Sequence, residues 1–301
     1  MSRTGLYLCL AASAVGSLVA CTAALVRIPE VTALDRSDKL VEEAQARAAQ
    51  GDADGSRKAV DEALALAPEN PRARRELGMH MIAARDLEGA ARELLAVARA
   101  RSGDAGAARE LASVLGAAGD AESAVKWLRR ALRIAPADAI SRALLVGYLV
   151  KLDRIPEARE EAEIAAKLAP QVPDVQSRLG IARWKDGDRA GAELAFKRAL
   201  ELWPSDLRVT LFLGAVVAEQ NRPEESAQYL LRVIALDPQN VTAYVGLGSD
   251  LLSLNLPDEA EAAFRKALEL DPGNELAEMG LQKLEELFAR PERASPSPGS
   301  H

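Results

Sequence analysis

Two histidines and two cysteines are the chain's whole stock of imidazole and thiol, and their spacing builds no reactive set. His80 has no histidine, cysteine or acid–base partner at a motif spacing, and His301 is the last residue. His80 is therefore expected as an ordinary exposed helix residue. Cys9 and Cys21 both fall in an uncharged N-terminal stretch, so the rest of the chain can form neither a disulfide nor a Cys₄-type zinc site. Asp52-Ala53-Asp54-Gly55 starts like a calcium loop, which needs glycine at its sixth position and glutamate at its twelfth. Those places hold Arg57 and Ala63, which leaves a turn. Gly246-Leu247-Gly248 is a lone G-x-G with no strand before it, and so lacks the context of a nucleotide site. Acidic pairs such as Glu160-Glu161 and Glu285-Glu286 read as solvated helix faces. No nucleophile–base pair can be assembled. The expectation is a protein without catalysis, metal or cofactor, whose chemistry is binding.

Binding surfaces need elements to carry them, and here the elements repeat. Pro136, Pro170, Pro204, Pro238 and Pro272 are each 34 residues apart, and Pro68 lies on the same series with Ser102 in the vacant place. A fixed period of this length means stacked helical hairpins. Numbering each repeat from 1 gives 37–70, 71–104, 105–138, 139–172, 173–206, 207–240 and 241–274. Position 7 is Leu77, Leu111, Leu145, Leu179, Leu213 and Leu247, with Glu43 in repeat 1. Position 8 is small in most repeats: Ala44, Gly78, Ala112, Gly180, Gly214 and Gly248. Glycine inside a helix costs about 1 kcal/mol against alanine, so its recurrence calls for a close crossing of two helices. Position 20 is Ser56, Ser226 or alanine, and position 24 is the larger knob, including Leu94, Phe196, Leu230 and Phe264. Gly51, Gly119, Gly187, Asn221 and Asn255 at position 15 suit the left-handed residue that ends a helix. Asn70, Asp104, Asp138, Asp206, Asn240 and Asn274 at position 34 suit the cap of the next helix.

Repeat 7 shows the whole pattern, with Tyr244 at 4, Leu247-Gly248 at 7–8, Leu251 at 11, Ala260 at 20, Phe264 at 24 and Pro272 at 32. This resembles the tetratricopeptide repeat family, whose signature is W-x₂-L-G-x₂-Y, then A-x₃-F, then P. The resemblance implies an all-α, right-handed solenoid of seven helix-turn-helix repeats. Residues 275–290 then form a C-terminal capping helix through Leu281, Leu284 and Phe288, and residues 291–301 a disordered tail. It further implies that positions 2, 5, 9, 12 and 13 of the first helices line a concave groove. Carried over, these give Arg72, Arg75, Met79, Ile82 and Arg109 at one end. Small residues follow in the middle, Ser113, Gly116, Ala117, Ala143 and Gly147, beside Lys151. Ile181, Trp184, Lys185, Arg208, Leu211, Val245 and Leu252 line the other end. The groove reads as basic and apolar, with Trp184 among small neighbours as its anchor, and suits an apolar peptide carrying acidic residues. Position 9 never holds the asparagine by which some family members grip a C-terminal carboxylate. Trp127 and Trp203 are expected to pack between repeats.

Residues 1–26 are a separate unit, joined to the repeats through a linker at 27–36. Residues 5–26 carry no charge and follow Arg3, and Leu18-Val19-Ala20-Cys21 resembles the bacterial lipoprotein signal. That resemblance implies cleavage before Cys21 and acylation of its thiol. The apolar Thr22–Val26 run departs from the polar tether usual after such a cysteine. An uncleaved anchor helix is the alternative, since 22 residues span roughly 33 Å against a hydrocarbon core of about 30 Å. An ordinary cleaved signal is a third.

The chain has 301 residues, a net charge of −7 and 4% aromatic side chains. Nucleic acid is thereby disfavoured as a partner, because neither a basic footprint nor a stacking platform is present. The leading expectation is a membrane-tethered adaptor in the bacterial cell envelope, with its repeats in the periplasm and a protein or peptide in the groove. It would resemble lipoproteins that help assemble pilus, secretion or cell-wall complexes. The alternative is a structural subunit of a polysaccharide-export or secretion complex, working through its convex face or ends. If Cys21 carries the anchor, Cys21→Ala should block acylation and signal cleavage together. Intact-mass measurement of the native protein decides this, since residues 1–20 retained without an acyl chain would mean an anchor helix.

Overall fold

The structure, a computed structural model, describes residues 32–288. Among them are fifteen α-helices and no strand. First helices are α1 (Ala33–Ala49), α3 (Pro71–Ala83), α5 (Ala105–Ala117), α7 (Ala139–Lys151), α9 (Pro173–Lys185), α11 (Leu207–Glu219) and α13 (Val241–Ser253). Second helices are α2 (Ala53–Leu66), α4 (Leu87–Ala100), α6 (Ala121–Ile134), α8 (Ile155–Leu168), α10 (Arg189–Leu202), α12 (Pro223–Leu236) and α14 (Pro257–Leu270). The last, α15 (Glu275–Phe288), packs on both α13 and α14. Each first helix packs on the second helix after it and, from α3 onward, on the one before it. The result is an all-helical solenoid.

The close crossing inferred from position 8 is present. A methyl group added to Gly180 would lie 2.5 Å from the Phe196 ring, and one on Gly248 would lie 2.7 Å from Phe264. Against leucine knobs the space is larger: 3.2 Å from Leu94 at Gly78, and 3.5 Å from Leu230 at Gly214. Position 8 of the first helix therefore receives position 24 of its own second helix. Phe196 and Phe264 are fully buried there.

Both ends of each hairpin are fixed by local chemistry. Asp104, Asp138, Asp206 and Asn240 accept backbone N–H bonds at the starts of first helices. Asp52, Asp86, Asp120 and Asp188 do the same for second helices. Where that second aspartate is missing, at α8, α12 and α14, proline occupies the first turn, where its absent N–H leaves nothing unsatisfied. Position 15 is left-handed in all seven turns, with Arg85 and Asp153 taking φ of 62° and 57° alongside the glycines and asparagines. At those two places the turn geometry overrides residue preference.

The layers differ. Several consecutive first helices touch one another directly, namely α1 with α3, α5 with α7, α7 with α9, α9 with α11 and α11 with α13. No two second helices make comparable contact among the described residues. Long charged side chains span that wider layer instead. Glu193 of α10 accepts from Lys197, from Arg222 at 2.8 Å and from Gln220 at 2.9 Å. Burial works against its charge, yet these donors outweigh it and hold its pKa down at about 2.

Four sequence expectations change here. The linker does not run to residue 36, because α1 begins at Ala33. Thr32 and Asp35 form a reciprocal capping box, with Asp35 N–H donating to Thr32 Oγ1 and Thr32 N–H to the Asp35 carboxylate. Glu43 is no core residue; it is exposed and pairs with Arg47 at 2.6 Å, and among the described residues no hairpin precedes α1 to cover that face. His80 has a partner after all, since its Nε2 lies 3.0 Å from Ser56 Oγ of the preceding hairpin. Trp203 is 54% exposed rather than packed, whereas Trp127 does bridge two core clusters. Residues 1–26, residues 289 and 290 of the proposed cap, and the 291–301 tail lie outside the described residues.

The glycine geometry makes a differential prediction. Gly180→Ala should destabilise by about 1–3 kcal/mol, because Phe196 must move. Gly214→Ala has ordinary contact distance and should be neutral or gain up to about 1 kcal/mol from helix propensity. Urea midpoints of the two variants measure the difference.

Candidate functional site

The first-helix face divides into three parts. At the N-terminal end its arginines are paired rather than free. Arg75 makes a two-pronged ion pair with Glu110, at 2.7 and 2.6 Å, which raises the guanidinium pKa further. Arg109 donates to Asp138, and Arg72 lies 3.5 Å from Asp38 and 3.7 Å from Glu42. Gln45 completes the line by donating to Glu76 at 2.7 Å. Burial opposes the charge of Asp138, but bonds from Ser141 and Arg109 keep its pKa below the usual carboxylate range. These pairs tie neighbouring first helices together around a small polar cavity of about 250 Å³. The basic face expected from position counting is therefore a neutralised ladder. Part of its acidic half stands at position 6, as Glu42, Glu76 and Glu110, a column the groove positions leave out, while Asp38 and Asp138 stand at positions 2 and 34. Met79 remains exposed on this face.

The middle is filled. The ring of Tyr148 lies against Gly116, and its hydroxyl reaches the Ser113 carbonyl at 3.5 Å. The guanidinium of Arg178 lies against Gly147. Large side chains from the next first helix thus occupy the room that small residues seemed to leave. Ala143 is buried, and Lys151 is exposed at the last turn of α7. A cation there faces the carbonyl end of the helix favourably.

The C-terminal part is open and apolar. A cavity of about 480 Å³ is lined by Trp184 of α9, by Arg208, Leu211, Phe212, Ala215 and Ala218 of α11, by Ser226 and Leu230 of α12, and by residues of α13. Trp184 is braced rather than loose. Its ring is 6.0 Å from Phe212, which is 5.8 Å from Phe196, and its Nε1 donates to Glu219 at 3.1 Å. Arg189 holds the other oxygen of Glu219 at 2.7 Å, and the Lys185 ammonium sits 5.8 Å from the tryptophan ring. Leu211 and Arg208 are brought to Trp184 as the groove positions imply, whereas Ile181 turns into the Phe196–Leu213 cluster. Val245 and Leu252 join a different cavity, of about 750 Å³, walled by Leu276, Met279 and Leu287 of α15. Cys21 lies outside the described residues.

Two polar residues at the floor of the Trp184 cavity escaped position counting. Asp250 is 5% exposed and its Oδ2 has no hydrogen-bond partner; Ser226 is 1% exposed and its Oγ has none. Burial pushes the Asp250 carboxyl up to about 6, and the nearby Ser226 hydroxyl opposes this slightly without completing a well-aligned bond. The sequence held a signal for them. Position 10 is polar at His80 and Asp250, and position 20 of the repeat before each is serine in place of alanine. The first such pair, Ser56 with His80, is satisfied; the second, Ser226 with Asp250, is not. Among the described residues no His/Cys/Asp/Glu group is placed to hold a metal ion.

A family model described as tetratricopeptide repeat matches residues 41–105, 81–139, 146–206, 177–241 and 213–275. No curated protein matches the chain. Among solved structures, a tetratricopeptide repeat protein from Parabacteroides merdae is similar at a TM-score of 0.65 and 15% identity, covering 83% of this chain and 98% of that one. Pseudomonas aeruginosa pilF is similar at 0.61 and 20%, covering 71% and 97%. YrrB, described as having an unusual peptide-binding site, is similar at 0.54 and 20%, covering 63% and 97%. At these identities the likeness is one of fold.

Asp250 makes stability depend on pH with a definite sign. Its folded pKa is raised, so its contribution is fully present below the ordinary value of 3.8 and is lost as pH rises through about 6. Asp250→Asn removes that loss. The variant should be more stable than the parent by on the order of 2 kcal/mol at about pH 7.5, and the two should nearly coincide at about pH 4. Thermal midpoints at the two pH values test it.

Proposed function

This chain belongs to the tetratricopeptide repeat family, and from that premise we propose that it is a membrane-tethered adaptor of the bacterial envelope. A protein or peptide partner docks on its first-helix face, in the Trp184 cavity, and is thereby recruited to an envelope assembly such as a pilus, secretion or cell-wall machine. Repeats of this family are protein-interaction scaffolds and typically not catalytic. The reading for this chain rests chiefly on one observation: an open apolar cavity of about 480 Å³ walled by a rigidly braced tryptophan. A preordered aromatic loses little conformational freedom on binding, which is what makes such residues strong anchors. Direct contacts between first helices support treating that layer as the inner one. YrrB's peptide-binding site is a precedent for this use of the fold. Tethering is supported by Leu18–Cys21 after an uncharged run.

The N-terminal ladder supplies little affinity, because Arg72, Arg75 and Arg109 already have carboxylate partners. Partner capture should be read with a photo-crosslinking residue at position 215 of the full chain in native membranes. Trp184→Ala should weaken capture by about 2 kcal/mol or more, roughly thirtyfold, and Arg75→Ala by about 0–1 kcal/mol. If Glu261→Lys, in the second-helix layer, abolishes capture while Trp184→Ala keeps it, the first-helix face is not the docking site.

A further inference from the structure

The Trp184 cavity has an apolar wall and a polar floor, and the floor has chemistry of its own. Its deepest residues are Asp250, Ser226 and Leu230, all buried, while the wall is made by Trp184, Leu211, Phe212 and Ala215. Two oxygens at the floor, Asp250 Oδ2 and Ser226 Oγ, are out of solvent with no hydrogen-bond partner. A buried carboxylate oxygen left unpaired is costly, and native structures seldom keep one without a use. Charge around it does not supply a use. Neither α12, which carries Ser226, nor α14 and α15 contributes a charged group that shifts Asp250, and the remaining charged residue lining the cavity is Arg208 of α11. Arg208 stands at the rim with a 59% exposed side chain, 4.0 Å from Asp174, and it too does not shift Asp250. The equivalent pair near the other end of the described residues is closed, since Ser56 and His80 bond to each other.

We propose that this cavity is a lysine-recognition site: the partner inserts one lysine from an otherwise apolar segment, laying its methylenes along Trp184, Leu211 and Phe212 and its ammonium on Asp250 and Ser226. The inference rests on the docking reading above and gives the partner's chemistry. It replaces the acidic ligand suggested by counting arginines, since those arginines are paired and the one unpaired charge inside the cavity is negative. Lysine fits the floor better than arginine. An ammonium carries three donors around a point charge, whereas a guanidinium fork asks for two coplanar acceptors. The buried acceptors at the floor come from two different side chains, Asp250 Oδ2 and Ser226 Oγ, which a point charge with three donors can meet together. The long apolar stem of lysine also suits an apolar wall, because the methylenes are buried while the charge is met at the end.

The test uses random twelve-residue peptides displayed on phage and selected against the full chain in lipid nanodiscs. Enriched peptides are then synthesised with their lysine kept, or replaced by norleucine or glutamine. Wild-type protein should enrich apolar peptides carrying a single lysine, and norleucine in its place should weaken binding roughly thirtyfold, as loss of one member of a buried charged pair does. Asp250→Asn, nearly isosteric, should bind the lysine and norleucine peptides alike, with helical content and thermal midpoint confirming that it is folded. Affinity for the lysine peptide should also fall below about pH 6, where Asp250 gains a proton. Peptides that need Trp184 but are indifferent to lysine, norleucine and Asp250→Asn would overturn the lysine inference and leave the docking reading standing. No enrichment, or enrichment unaffected by Trp184→Ala, would overturn the docking reading and this inference with it.

Discussion

Everything in this protein hangs on how closely two helices cross within one hairpin. A glycine at position 8 lets a leucine or phenylalanine at position 24 press into the first helix, and the knob fills the space that a side chain would have taken. That contact sets the hairpin angle, and the hairpin angle sets where the next hairpin lands. Each unit can bury its faces only against its neighbours, so a local contact repeated along the chain becomes the solenoid. Glycine's helix penalty of about 1 kcal/mol is offset by burial of the knob, which for a phenylalanine amounts to about 1.5–3 kcal/mol.

With the crossings fixed, the two layers acquire different chemistry. First helices come close enough for short contacts, so their side chains either pair across the boundary or fill one another's gaps. Arg75 with Glu110 and Tyr148 against Gly116 are the two cases. Second helices stand further apart and are bridged by long charged residues, such as Arg222 reaching Glu193. A cavity opens in the first-helix layer where both closing devices fail at once. Beside Trp184 the next first helices offer Ala215, Ala218 and Gly246, Arg208 stays at the rim instead of filling the space, and no carboxylate column runs there.

The same failure explains the buried acid. Asp250 sits where other repeats place apolar residues, a tyrosine or a bonded histidine, and packing buries it without supplying a charged partner. Its raised pKa and the unpaired Ser226 hydroxyl are two readings of one fact, an acceptor-rich floor under an apolar wall.

Period, hairpin boundaries, capping residues, turn positions and the crossing glycines were all legible in the sequence, because each depends on residues within one repeat. Gly180 sixteen residues before Phe196 is a local statement about a single hairpin. Family membership followed from the same spacing. What a linear reading could not reach were contacts between repeats. Position counting placed Arg72, Arg75 and Arg109 on a groove but could not weigh the carboxylates Glu42, Glu110 and Asp138, whose side chains meet them across a helix boundary. It nominated Trp184 and passed over Asp250 and Ser226, although both broke their columns, because burial decides whether a polar residue is solvated or stranded. Even the linker ending at Thr32 turned on a reciprocal bond between two side chains three residues apart. Spacing along the chain determined which residues share a helix face. Only the tertiary packing decided which of those faces were neutralised, which were filled, and which stayed open.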